Sequence, residues 1–322
     1  MMTSANKHKV ILHKVILDVD TGVDDALAIL YALADPDIEL LGITTCFGNV
    51  DVDTATENTL AVLHLAGARV PVYRGSAAPL LREWEGPVPW IHGDNGIGGA
   101  RRPAHGRSAE AMDAMSFIRE AVRRHPGEVT LVPVARMTNL AKAFAFDPEL
   151  PGLVRRVVMM GGAAACPGNV TPVAEANIWG DPEAAQMVFA SGVPITMVGL
   201  DVTMQARLTQ AHLDTLTDSV PYASLLREAV GFYMNAYQRA QQSQEAWCAL
   251  HDPLAVAMVS DPTLCRTERR HVAVETEGRL TAGMTVVDWR PAAPAAANAD
   301  VCVSLDSARF LARFCERLGM QA

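Results

Sequence analysis

Short β-branched runs alternate along this chain with longer helical patterns, and that alternation leaves few folds open. "KVILDVD" and "IELLGITTCFGN" have the make-up of buried strands, whereas "DDALAILYALA" and "DTATENTLAVLHLAG" repeat apolar residues at helical spacing. The pattern continues through "VPVYRG", a helix around "AEAMDAMSFIREAVRRH", the strand "EVTLVPVA", the helix "TNLAKAFAF" and the strand "VRRVVMMGG". The helix "DPEAAQMVFASG" and a strand "PITMVGLDVT" follow. Such a series predicts one α/β domain with a mostly parallel open sheet and helices on both faces. The 322 residues would allow two domains, but no linker, charge block or change of composition divides them. Residues 15–322 are therefore expected to form a single domain. Residues 1–14 are expected to be an N-terminal extension, in which "HKVIL" (8–12) precedes a second copy (13–17) that runs into the first strand.

In a sheet of this kind ligands sit outside the carboxyl ends of the strands, and polar residues collect there. Asp20 follows the first strand, Asn49 the second and Val134 "VTLVPV"; Gly161 and Gly162 close "VVMM", and Asp201 is expected to close "TMVGLD". Two segments break the alternation. Residues 82–106 are rich in Gly, Pro and Trp and have no period, and a long helix "YASLLREAVGFYMNAYQRAQQ" leads to "WCALHDP".

The first turn is the most unusual. "VILDVDTGVDDALAIL" crowds Asp18, Asp20, Asp24 and Asp25 between two apolar elements. Carboxylates ~4–5 Å apart repel by roughly 3–4 kcal/mol per pair at an effective dielectric of ~20. Helix N-terminal N–H groups return only ~0.3–1 kcal/mol each. A bound divalent cation would supply what is missing. The nearby donors are oxygens, and no His or Cys cluster has transition-metal spacing, which points to Ca²⁺ or Mg²⁺. A single Asp here would be only a helix cap.

Composition narrows the partners. A net charge of −9 without a Lys/Arg stripe disfavours nucleic acid and anionic membranes. Cys46, Cys166, Cys248, Cys265, Cys302 and Cys315 are scattered and read as buried free thiols, so a cytoplasmic location is expected. No apolar run is long enough to cross a membrane.

"DVDTGVDDALAIL" resembles the Asp-rich signature of the inosine–uridine-type nucleoside hydrolases. "ITTCFGN", "IHGDNG", "MGGAAACPGNVTPVAEANI", "DPEAA", "HDPLAVA" and "GRLTAGMTVVD" match in order, so the similarity spans residues 15–303. The resemblance implies a Rossmann-like fold and cleavage of the N-glycosidic bond of purine or pyrimidine nucleosides. It implies one Ca²⁺ held by Asp20, Asp25, Asp252 and the main-chain carbonyl of Val134. Asp20 would also be the base that activates water. Asp24, Asn49, Asn177 and Asp252 would hold the ribose diol and the water, and Asn169 and Glu175 the 5′-hydroxyl. His251 would protonate the leaving base, with His92 a lesser candidate and Phe232, Tyr233, Tyr237 and Trp247 flanking it. A homotetramer or dimer is also implied.

Each residue has a plainer reading. Asn49 alone suits a turn at positive φ, Asn169 follows Pro-Gly, and "HDP" is good helix-start chemistry. In "VAEANI", Glu175 and Asn177 would share one side of an extended segment. Met159 and Met160 suit a core or cleft wall, and a lone His92 in a Gly-rich loop suits a solvent-exposed position. The chain also departs from the resemblance: Thr21 stands where Pro is frequent, Arg136 brings a cation to "PVARMTN", Ala176 replaces a frequent Phe, and Trp179 and Gly180 are unusual. These departures keep open a ribose- or Ca²⁺-binding protein that has lost turnover. A haloacid-dehalogenase-type phosphatase, with Asp18 as nucleophile, would share only the strand-D-x-D start.

Overall fold

A computed structural model describes residues 12–322. Residues 8–11 of the first "HKVIL" copy lie outside the described part. The second copy begins β1 (His13–Val19), so His13 and Lys14 belong to the sheet and not to an extension. The other strands are β2 (Ile38–Thr45), β3 (Val72–Arg74), β4 (Val129–Pro133), β5 (Arg156–Met160) and β6 (Ile195–Val198), then β7 (Arg207–Thr209) and β8 (Trp247–Ala249). They end with β9 (Cys265–Arg270), β10 (Val272–Val274), β11 (Thr285–Val287) and β12 (Ala299–Leu305).

Eight strands form one sheet in the order β3-β2-β1-β4-β5-β6-β12-β9. Neighbours pair in parallel except β9, which runs antiparallel to β12 at the edge. The apolar strands are buried on both faces, which is why they lack alternation. Along β1, Val15, Leu17 and Val19 enter one hydrophobic layer and Ile16 the other. The first layer takes in helices Val23–Ala34, Ala223–Gln241, His251–Ser260 and Ser307–Leu318. The second takes in Ala114–Arg124, Thr138–Phe146 and Pro182–Ala190. The chain is a single α/β domain with a mostly parallel sheet between helical layers.

Chain order reverses at β1, whose neighbours are β2 and β4. Loops leaving the carboxyl ends of β1 and β4 therefore diverge and leave a crevice between them. Three expectations need correction. The strand "PITMVGLDVT" stops at Val198, and Leu200–Thr203 is a helical turn. Asp201 thus does not close a strand; its oxygens accept the main-chain N–H groups of Ala164 (2.8 Å) and Ala165 (2.7 Å). Glu175 and Asn177 do not lie on an extended segment, because Glu175 caps the helix Ala176–Gly180. Gln242 is the single non-glycine residue at positive φ among the described residues, so Asn49 is not there for that reason.

Candidate active site

A cavity of about 1100 Å³ opens at the carboxyl edge of the sheet. Its wall includes Asp24, Asn49, His92, Val134, Arg136, Asn169, Glu175, Asn177, His251 and Asp252. The sheet thus gathers residues far apart in the chain into one place. Of the acidic turn, Asp24 reaches this wall.

Local geometry explains each carboxylate. Asp25 closes the turn: its Oδ2 accepts Gly22 N–H (2.9 Å) and its Oδ1 accepts Asp20 N–H (3.1 Å), so the carboxylate in the first turn of the helix Val23–Ala34 caps it from one side, Gly22 having no side chain to answer. Asp20 accepts the main-chain N–H of Asn49 through Oδ2 (2.6 Å), and the same oxygen pairs with the Arg136 guanidinium. Burial pushes its carboxyl upward and Arg136 opposes the shift. Asp24 Oδ2 accepts Asp252 N–H (3.1 Å), and burial raises its carboxyl to about 7. Asp252 is raised well above the usual range by burial, then by the charges of Asp24, Asp25 and Asp20. Asp18 takes no part in the wall. It is 1% exposed and accepts Thr44 Oγ1–H (2.5 Å) and Asn139 Nδ2–H (2.7 Å), an arrangement with no place for a nucleophile.

Asp20 and Asp25 are fully buried and lie beneath the wall, whereas Arg136 and Asn49 form part of it. Arg136 Nη1 also approaches Asn177 Oδ1 (3.4 Å) and Asn49 Oδ1 (3.5 Å). Asn177 Nδ2 donates to the carbonyls of Val134 (2.7 Å) and Met160 (3.2 Å). Glu175 accepts the N–H groups of Asn177, Gly162 and Ile178. Asn169 is exposed and accepts Ala176 N–H at 3.0 Å.

His251, at the first position of the helix His251–Ser260, is both a helix-start residue and part of the cavity wall. Tyr237 Oη is hydrogen-bonded to its Nε2, and Thr203 Oγ1 to its Nδ1 at 2.6 Å. Burial lowers its pKa to about 4, so the ring is neutral at pH 7. His92 is buried, contrary to the expectation for a Gly-rich loop: the helical turn Pro89–His92 packs its ring against Tyr233, with centroids 5.4 Å apart. Its Nδ1 accepts Val23 N–H (3.2 Å), which assigns the proton of the neutral ring to Nε2. Tyr233 and Tyr237 line the cavity; Phe232 and Trp247 do not. Five cysteines are buried, but Cys166 is half-buried on the cavity wall.

Asp20 Oδ1 and Asp24 Oδ1 are buried oxygens without a hydrogen-bond partner. Orphaned carboxylate oxygens beside further carboxylates suit a hard divalent cation in donor chemistry. Among the described residues, however, no three His, Cys, Asp or Glu side chains are already arranged to hold a metal ion. Arg136 stands on Asp20 instead.

Sheet order, crevice and polar wall define an α/β protein whose ligand site lies at the reversal of strand order. The profile of the family described as inosine-uridine preferring nucleoside hydrolase matches residues 15–312. The chain is 40% identical over 301 residues to the inosine-uridine preferring nucleoside hydrolase of Leishmania major, covering 92% of this chain and 94% of that one. It is 39% identical over 299 residues to a pyrimidine-specific ribonucleoside hydrolase of a Shewanella species, covering 92% and 93%. The solved purine-preferring ribonucleoside hydrolase of Gardnerella vaginalis superposes with a TM-score of 0.89 at 40% identity, covering 95% of this chain and 98% of that one. The chain belongs to the inosine-uridine preferring nucleoside hydrolase family and is a hydrolase acting on N-glycosyl bonds. No helix among the described residues is long and apolar enough to cross a membrane.

Proposed function

We propose that the protein hydrolyses ribonucleosides to ribose and free base, with a calcium ion at the acidic turn and Asp20 as general base. The observation that carries this reading is the pair of partnerless buried oxygens, Asp20 Oδ1 beneath the cavity wall and Asp24 Oδ1 in it, beside Asn and Glu side chains. Asp20, Asp25, Asp252 and the Val134 carbonyl would hold the ion, which when bound polarises water and the ribose diol. Asp20 Oδ1 collects the proton released by the attacking water. Asp24, Asn49 and Asn177 orient the 2′- and 3′-hydroxyls, while Glu175 and Asn169 hold the 5′ end. A sugar gripped at every hydroxyl is steered toward the oxocarbenium-like geometry of glycosidic cleavage.

The departing base needs a proton. His251, linked to Tyr237 and Thr203, is the donor at the leaving group. Neutral at pH 7, the ring carries a single N–H; the proton it yields to the base is replaced through its hydrogen bonds to Tyr237 and Thr203, with water in the cavity as the source of the replacement. His92 keeps its place by its bond to Val23, which makes it a wall residue with an Nε2–H to offer the substrate. The relatives named above differ in the base they are named for. Calcium as the ion, the assembly of subunits and a cytoplasmic location belong to the same reading.

One observation favours a second reading, a homologue that binds nucleoside without turning it over: Arg136 covers the oxygen-rich floor at Asp20. Incubation with inosine and uridine in calcium, followed by assay of free ribose, separates the two. Ribose release from either nucleoside supports the hydrolase. Bound nucleoside without release from any member of a nucleoside panel overturns it.

A further inference from the structure

The cation that already faces the acidic turn is part of the chain. Arg136 is 6% exposed, and its Nη1 meets Asp20 Oδ2. Its hold is a single nitrogen on a single oxygen, not the two-point fork that makes Arg–carboxylate pairs durable. Nε is buried and has no partner, and the contacts to Asn177 and Asn49 are long at 3.4 and 3.5 Å. Charge holds the side chain there more than geometry does.

The chain nevertheless makes room for it. A Cβ at Gly180 would lie 2.5 Å from Arg136 Nε and 2.7 Å from its Cγ. Gly180 is not at a positive φ, so its backbone does not require glycine; what the residue supplies is space for the arginine stem. A Cβ at Gly48 would strike both Asp20 Oδ2 and the Arg136 guanidinium. Arg136 and Gly180, two unusual residues of this sequence, are therefore one feature.

The cavity is lined by Arg136 but not by Asp20 or Asp25. Arg136 both lines the cavity and covers Asp20 Oδ2, so an ion that seeks this oxygen from the cavity meets the guanidinium there. We propose that Arg136 is a tethered counter-cation of the acidic turn, which a divalent cation must displace. The inference rests on the metal reading given under Proposed function. In the metal-free protein Arg136 neutralises a carboxylate that would otherwise be buried alone. On metal binding it swings into the cavity, where Glu83 and Glu85 line the wall. A site open only for the fraction of time that Arg136 is away binds the ion more weakly by that fraction.

The test is calorimetric titration of calcium into the full chain, wild type against Arg136→Met and Gly180→Ala, with melting curves in EDTA and in saturating calcium. Met keeps the stem and removes the charge. Ala at 180 crowds the stem without altering any charge, and it carries the test should Arg136→Met fail to fold. The expected result is calcium binding at least about tenfold tighter in both variants. Metal-free Arg136→Met should also melt below metal-free wild type, with the gap closing in calcium. Equal or weaker binding in the variants overturns the inference alone. Absence of calcium and magnesium binding in all three proteins overturns both the inference and the metal reading beneath it.

Discussion

The side-chain amide of Asn177 donates to the main-chain carbonyl of Val134 across 2.7 Å and to that of Met160 across 3.2 Å. One residue at the start of the helix Ala176–Gly180 thereby ties down the ends of β4 and β5, while its Oδ1 faces Arg136. Asn177→Ala strands buried carbonyls, each worth ~1–3 kcal/mol when left unpaired. It should lower stability by about 1–3 kcal/mol in chemical denaturation and cut nucleoside kcat/KM by ~10-fold or more. Unchanged values of both would show that the clamp does not matter.

Asp20→Asn keeps an acceptor for Asn49 N–H but cannot take up a proton. Loss of a general base costs ~10²–10⁴-fold in turnover. The variant should therefore bind nucleoside, as followed by calorimetry, while kcat falls by that range. Near-normal kcat would remove Asp20 as the base.

Tyr237 and His251 share a buried hydrogen bond at the cavity wall, which sets the phenol beside the leaving-group acid. His251→Ala should slow inosine hydrolysis far more than hydrolysis of nitrophenyl riboside, whose leaving group departs without help. Tyr237→Phe should shift the ratio in the same direction by less. Steady-state kinetics on both substrates gives the comparison, and equal losses would mean that His251 does not serve the leaving group.

Most of the sheet was legible because its strands are continuous apolar runs ending in turn residues, as at "KVILDVD" and "VTLVPV". The acidic turn was legible because charge crowding is local. The helix holding Glu175 and Asn177 was not, since Ala176–Gly180 is too short to show a period. Long-range partners were also hidden. Arg136 was visible as a misplaced cation, but nothing in "PVARMTN" reveals that it meets Asp20, and the burial of His92 depends on Tyr233 from a distant helix. Asn139 has a usable signal, a polar residue at the start of the apolar run "TNLAKAFAF", but its partners lie far away in the chain.

Asn139 is 1% exposed and bonds Asp18 Oδ1 (2.7 Å), the Thr45 carbonyl (3.0 Å) and Ser76 N–H (2.9 Å). It joins the ends of β1 and β2 to the segment after β3. Asn139→Ala leaves several buried groups unpaired and should destabilise by roughly 2–5 kcal/mol. A loss below ~1 kcal/mol in urea denaturation would show that these bonds are readily replaced.

His92 connects the site to acid stability. Burial, reinforced by the positive charge of Arg136, lowers its pKa to about 3, against ~6.5 in an unfolded chain. The unfolded protein therefore takes up this proton first as pH falls. The contribution of His92 to stability is whole above pH ~6.5 and is lost progressively toward the folded value, at up to ~1.4 kcal/mol per pH unit. His92→Asn offers an acceptor to Val23 N–H but does not titrate in this window. Urea midpoints between pH 7 and pH 4 should fall less steeply for the variant, even if its stability at pH 7 is lower. Parallel curves would mean that the His92 ring charges without hindrance in the folded protein, and that its packing against Tyr233 does not keep it neutral.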